Sequence, residues 1–256
     1  MASDRLAAPP PGESAERLVK SAERVRDLAE VFTPVKTVNE MLDLLPSEMW
    51  DSHPSPTFLE PACGDGNFLV AILRRKLSRI MRQTQETLDQ AELRADEVLM
   101  LGLEAAGAIY AVDISIDNVI GGTPGHEIGA RQRLLSIVEG WATPHLSSTN
   151  VDPVTYLLSA EWIFTHNILI GNMLASDSDG KPTGRDAMSV MEYSWDLDHG
   201  SVSISRTTMG DIISATSGES LEMLWGAPEP VKHWEGDFMA LSTAPAVVNP
   251  FETRTA

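Results

Sequence analysis

The stretch TFLEPACGDGNFLVAILRRKL (Thr57–Leu77) sets Gly64 and Gly66 in a turn between a short apolar run and a helical pattern. Thr57–Glu60 reads as a buried strand and Asn67 to about Gln83 as a helix. One meaning of the glycines is a tight strand-to-helix turn. The other is a loop whose bare main chain lets a ligand lie against it, because a Cβ there would stand in the way. The start of the helix adds partial positive charge and free N–H groups, which suit a carboxylate or a phosphate.

Outward from this stretch, strands and helices alternate. Glu86–Leu103 is helical in composition, AIYAVDI (Ala108–Ile114) reads as a second strand, and Ala130–Val138 as a helix. Asp152 reads as an N-cap with Pro153 at the first helical position, and NILIG (Asn167–Gly171) as a third strand. The alternation predicts an α/β fold with a doubly wound, largely parallel sheet. Ligands bind such sheets at the carboxyl ends of the strands. The second strand ends there in Asp113, placed to accept hydrogen bonds from ribose hydroxyls.

The flanks are read more coarsely. Residues 1–14 form a flexible tail, Ala15–Leu28 a helix and Val38–Leu45 a second, short one. Residues 15–175 are expected to make the cofactor domain. A polar loop, Ser176–Asp186, then leads to SVMEYSWDLDHGSVSISRTT, a hairpin turning at Asp198-His199-Gly200. Residues 176–256 are expected to pack on the same domain as a hairpin-containing extension, with loosely defined boundaries after MGDIISA.

Composition narrows the function classes. A hydrophobic content of 43% over 256 residues is that of a globular protein. No apolar run reaches the roughly 18 residues of a membrane span and no basic-then-apolar leader is seen, so a cytoplasmic protein without membrane association is expected. Cys63 is the only cysteine and the six histidines show no ligand spacing, so no metal site is expected. The formal charge of −18 argues against tight DNA binding by this chain alone. One basic cluster, RRKLSRIMR (Arg74–Arg82), reads either as the solvated end of a helix or as a phosphate-binding patch.

The loop is neither a GxGxxG nucleotide fingerprint nor a P-loop. LEPACGDGNFL instead resembles the cofactor loop of class I S-adenosylmethionine-dependent methyltransferases of the DNA adenine-N6 type, Asp-Pro-Ala-x-Gly-x-Gly-x-Phe, with Glu60 in place of the usual Asp. EVFTP (Glu30–Pro34) is similar to the Phe-Thr-Pro segment that closes over methionine in members with this motif order. IYAVDI matches the second-strand motif, and NILIGNML the third, with Asn172 where Asp is usual beside the adenine. The resemblance runs from about Glu30 to Leu174 and implies a Rossmann-like methyltransferase fold, S-adenosyl-L-methionine as cofactor, and a role in DNA methylation or restriction-modification. It places Phe32, Thr33, Pro34, Glu60, Pro61, Ala62, Gly64, Gly66, Phe68, Asp113, Ile114 and Asn172 around that cofactor.

One motif of the family is missing. Its Asn/Asp-Pro-Pro-Tyr/Phe element accepts hydrogen bonds from the adenine amino group and stacks on the flipped base. The amine lone pair is delocalised into the ring, so oriented acceptors are needed for it to attack a methyl sulfonium. Asn249-Pro250-Phe251 lacks the second proline and comes late, and DPVTY (Asp152–Tyr156) precedes the third motif and serves as a helix start. Glu192, Tyr193 and Trp195 either line a base pocket or simply pack within the hairpin. Asn249, Glu192 and Tyr193 are thus the catalytic candidates. Three function classes follow: a DNA adenine methyltransferase in which an unusual acceptor site or a protein partner supplies what is missing, a non-catalytic cofactor-binding module, or a methyltransferase for a protein or small molecule.

Overall fold

A computed structural model describes Val25 and residues 31–52, 54–87, 94–123, 127–175, 184–217, 231–249 and 251–252. The expected tail at 1–14, all but Val25 of the expected helix at Ala15–Leu28, Glu30, most of the polar loop after Ala175, Trp225 and Pro250 lie outside the described residues. Two short helices, α1 (Val35–Leu42) and α2 (Ser47–Trp50), precede the first strand, β1 (Phe58–Glu60). There follow α3 (Asn67–Thr87), α4 (Ala95–Gly107), β2 (Ile109–Asp113), α5 (Ile116–Val119), α6 (Ala130–Leu146), α7 (Pro153–Asn167) and β3 (Ile168–Ile170). After these come α8 (Gly184–Ala187), β4 (Ser189–Asp196), β5 (Ser201–Thr208), α9 (Met209–Ser217), β6 (Val231–Asp237) and a 3-10 helix, Phe238–Thr243.

The protein is mixed α/β. β1, β2 and β3 form a parallel sheet in chain order, with Phe58 opposite Ile109 and Ala111 opposite Ile168. Both faces are apolar, as parallel strands require when they are covered on both sides. Phe58, Ile109, Ala111, Ile168 and Ile170 join the large core shared with α3, α4, α6 and α7. Leu59, Tyr110, Val112 and Leu169 face a smaller core closed by Met188, Val190 and Met209. One face therefore carries helices, and the other is met by the start of β4 and by α9. Strand order does not reverse among the described residues, so of the expected sheet it is the parallel, helix-connected part that is seen.

Among the described residues β3 is the last strand of the sheet, and side chains take its outward carbonyls. Arg131 Nε donates to the Ile168 carbonyl at 2.8 Å, and Asn249 Nδ2 donates to that of Ile170 at 3.1 Å. The hairpin turns at Asp198–Gly200 as the sequence implies, but β6 adds a third antiparallel strand to β5. That strand lies outside the predicted elements: VKHWEGD has only a weak alternation, and the bulge at His233, opposite Ile204/Ser205 of β5, breaks the period. Helix ends also shift. Of the segment read as helical from Glu86, Glu86 and Thr87 close α3, 88–93 lie outside the described residues, and α4 begins at Ala95, where Glu97 Oε2 accepts the Arg94 N–H at 3.0 Å. α6 runs on to Leu146 because Pro144 falls in its last turn, where few following hydrogen bonds are lost.

The C-terminal segment is buckled to α7. Trp162 Nε1 donates to the Ala244 carbonyl at 3.1 Å, and the Val247 N–H donates to His166 Nε2 at 3.0 Å. His166 Nδ1, 2.7 Å from the Trp162 carbonyl, must then carry the ring's proton. Burial lowers the His166 pKa, assisted by the charges of Arg131 and His233 and opposed by the Trp162 carbonyl and Glu252. Because the folded state prefers the neutral ring, this contribution is full above the ordinary histidine pKa of about 6.5 and is lost as pH falls from there to the lowered folded value. Hydrogen exchange at the Val247 amide, corrected for the intrinsic rate, is therefore expected to show strong protection at pH 7.5 and much less at pH 5. Equal protection at both would remove His166 as the latch.

Candidate functional site

A cleft of about 770 Å³ opens at the carboxyl ends of the parallel strands. Four separate segments line it: Val31–Thr33, the β1–α3 loop with the first turn of α3, Asp113–Ser115 with Asn118, and Gly171–Leu174. Of the residues expected around a cofactor, Phe32, Thr33, Glu60, Pro61, Ala62, Gly64, Phe68, Asp113, Ile114 and Asn172 line this one cleft. Pro34 and Gly66 do not: Pro34 is the cap residue of α1, and Gly66 sits against α6.

Asp113 organises the floor. Its Oδ2 accepts the Gly64 N–H at 2.8 Å, while Oδ1 accepts the Ser115 N–H at 2.8 Å and Asn118 Nδ2 at 2.9 Å. The carboxylate expected to bind ribose therefore first binds the protein's own loop. Three bonds leave acceptor capacity on a two-oxygen carboxylate, so a hydroxyl in the cleft can still be taken. A Cys63 N–H bond to the Val112 carbonyl at 3.0 Å fastens the same loop to β2. The Cys63 thiol is buried and its pKa is pushed well up, first by burial and then by Asp113 and Glu60, which suits a packing residue and opposes a thiolate.

The glycines act differently from the simplest expectation. Gly64 has φ +55° and Gly66 φ +91°, backbone that L side chains rarely adopt. A Cβ on Gly64 would meet the Phe32 ring at 3.0 Å, and one on Gly66 the Ala130 Cβ at 3.0 Å. The space beside them is thus filled by protein, and the cleft is walled by the loop they shape. Phe32, itself buried, closes over the loop, and Asn67 Nδ2 donates to the Thr33 carbonyl at 3.0 Å to hold that segment down.

The cleft is acidic and apolar-rimmed. Glu60, Asp65 and Asp113 all line it. Burial raises the pKa of Glu60, the Ala62 N–H at 3.2 Å opposes this, and the nearby Asp113 charge adds to it. On the rim, Val31, Ile114 and Leu174 are 59%, 57% and 90% exposed, large apolar side chains that a ligand's hydrocarbon parts would cover. Carboxylates inside and hydrocarbon outside suit a cationic, partly apolar small molecule.

The catalytic candidates stand elsewhere. Asn249 spends both side-chain atoms on structure, donating to Ile170 and accepting the Phe251 N–H at 3.0 Å. Tyr193 lies under α4 and stacks on Trp195 at 5.8 Å, its buried hydroxyl making no hydrogen bond among the described residues. Glu192 is half-buried on β4 with its pKa raised by burial and then by the Asp211 charge. None of the three lines the cleft. Asn67, Asn118 and Leu174 do, and were missed; Asn118 had a signal, since an Asp followed two residues later by Ser and five by Asn can form a closed turn. Among the described residues no group of His, Cys, Asp and Glu could hold a metal, and no helix is long and apolar enough to cross a membrane. No protein-family model, curated protein or solved structure matches the chain.

Two substitutions test this geometry. Asp113→Asn places an amide donor against loop donors and is expected to cost about 1–3 kcal/mol of unfolding free energy. Gly66→Ala, strained in φ and crowded by Ala130, is expected to cost a similar roughly 1–3 kcal/mol. Denaturant unfolding measures both, and an unchanged Asp113→Asn midpoint would remove the carboxylate from its anchoring role.

Proposed function

We propose that the chain binds S-adenosyl-L-methionine in the cleft and serves as the cofactor-holding part of a methyltransferase of the DNA adenine-N6 type. A single observation carries this reading: four motif segments far apart in sequence line one cleft whose charge and apolar rim complement a sulfonium nucleoside. The glycine loop and Asp113 would hold the nucleoside, Ile114 and Asn172 its base, and Phe32-Thr33 the methionine end. Glu60 and Asp113 supply negative potential for its ammonium and sulfonium charges. When bound, the cofactor supplies an electrophilic methyl group.

The doubly wound sheet belongs to this proposal as well. β3 is closed by Arg131 and Asn249, whereas β1 is only half-buried beside fully buried β2 and β3. Further strands would therefore extend past β1, and we assign them, with the groups that accept the adenine amino protons and recognise the target, to a protein partner. A second reading, a non-catalytic cofactor-binding module, is favoured by the positions of Asn249, Glu192 and Tyr193 outside the cleft. The two readings part on turnover.

Calorimetry with S-adenosylmethionine and S-adenosylhomocysteine is expected to show saturable uptake of both. Binding should weaken as pH falls through the raised pKa of Glu60, since protonation removes a charge that faces the cation. Labelled-methyl transfer to unmethylated DNA, with and without candidate partner proteins, then separates enzyme from module. No uptake of either nucleoside ends both readings.

A further inference from the structure

We propose that a second depression, about 680 Å³ in volume and lying between α3 and the α1–α2 pair, binds the phosphodiester backbone of a nucleic acid and leads it to the cleft. Arg74, Arg75, Arg82 and Arg133 line it, and Asp51 is the one carboxylate among its lining residues. Asp51 is already paired with Arg79 at 3.0 Å, and Asp43 neutralises Arg75 at 2.7 Å. Arg74 and Arg82 are exposed and make no ion pair or hydrogen bond among the described residues. They lie eight residues apart on one face of α3, about 12 Å along the axis, with Ser78 between them. Two free guanidinium forks in a line suit a chain of phosphates better than a single one.

The depression also has a direction. Arg133 donates to the Asp65 carbonyl at 2.6 Å and to Asn67 Oδ1 at 2.9 Å, and Asn67 lines both this depression and the cleft. The cleft's own carboxylates repel phosphate, so a polyanion's backbone stays over α3 while an uncharged base passes Asn67 toward the cleft. Trp50 has its ring covered by Phe58 at 5.2 Å and by the Arg75 guanidinium at 5.4 Å, so the contact is electrostatic and not a stacking platform. The choice of nucleic acid over another polyanion rests on the methyltransferase reading; the groove and its charge do not.

The test is fluorescence anisotropy of the full chain with single- and double-stranded oligonucleotides across 50–200 mM salt. Replacing Arg74→Gln and Arg82→Gln together is expected to flatten the slope of log affinity against log salt by roughly 1.4 for single strands and roughly 1.8 for duplex. Arg206→Gln, on the distant β5, should leave the slope unchanged, and circular dichroism should show both variants folded. The same proteins are titrated with S-adenosylmethionine. A groove-dependent slope without cofactor uptake supports the groove and removes the cofactor reading; uptake with an unaltered slope does the reverse. No oligonucleotide binding at 50 mM salt, or equal binding of an acidic phosphopeptide of matched charge, overturns the proposal.

Discussion

A buried carboxylate is tolerated only where donors surround it, and Asp113 meets that condition with donors drawn from three places in the chain. Leaving such a charge unpaired costs several kcal/mol, roughly the scale of a domain's whole stability margin. The end of β2, the glycine loop after β1 and the turn into α5 are therefore one mechanical unit. The floor of the cleft is positioned by it. Phe32 can settle on Gly64 only because the loop beneath is already tied to the sheet, and Asn67 can hold Thr33 only because α3 starts where that loop delivers it.

The sequence disclosed this unit because its physics is local. Glycines at positive φ, an acid ending an apolar run and a helix beginning at once after the turn leave marks within a few residues. The three strands were legible for the same reason: parallel strands buried on both faces read as continuous apolar runs. What was illegible depends on distant partners. β6 exists because β5 offers it an edge, and nothing in VKHWEGD announces that edge. Asn249 carried the outward form of an acceptor motif, yet its amide is consumed by the rim of β3, 79 residues earlier in the chain. A residue type can be read from sequence, but whether its polar atoms remain free cannot.

Charge shows the same division between sum and place. The total of −18 says that the surface as a whole repels polyanions. Fields at a site decay over about 8–10 Å at ordinary ionic strength, so a ligand responds to the side chains around it and little to those across the molecule. Within that radius the protein holds two opposed environments. Glu60 and Asp113 make the cleft negative, while the neighbouring face of α3 keeps two arginines, Arg74 and Arg82, that no carboxylate among the described residues pairs with.

Arg133 joins these environments, and its position explains why they do not cancel. It ion-pairs with Asp65 at 3.0 Å and bonds Asn67 at 2.9 Å, so one cation is spent at the boundary in fixing the loop. The Asp65 charge is thereby compensated on its groove side, and Glu60 and Asp113 remain to set the potential of the interior. Among the described residues, a cation entering the cleft meets carboxylates that no cationic side chain pairs, and an anion following α3 meets guanidiniums that no carboxylate pairs. The boundary pair keeps each field on its own side, so the acidity that suits a sulfonium need not drive a polyanion from the surface next to it.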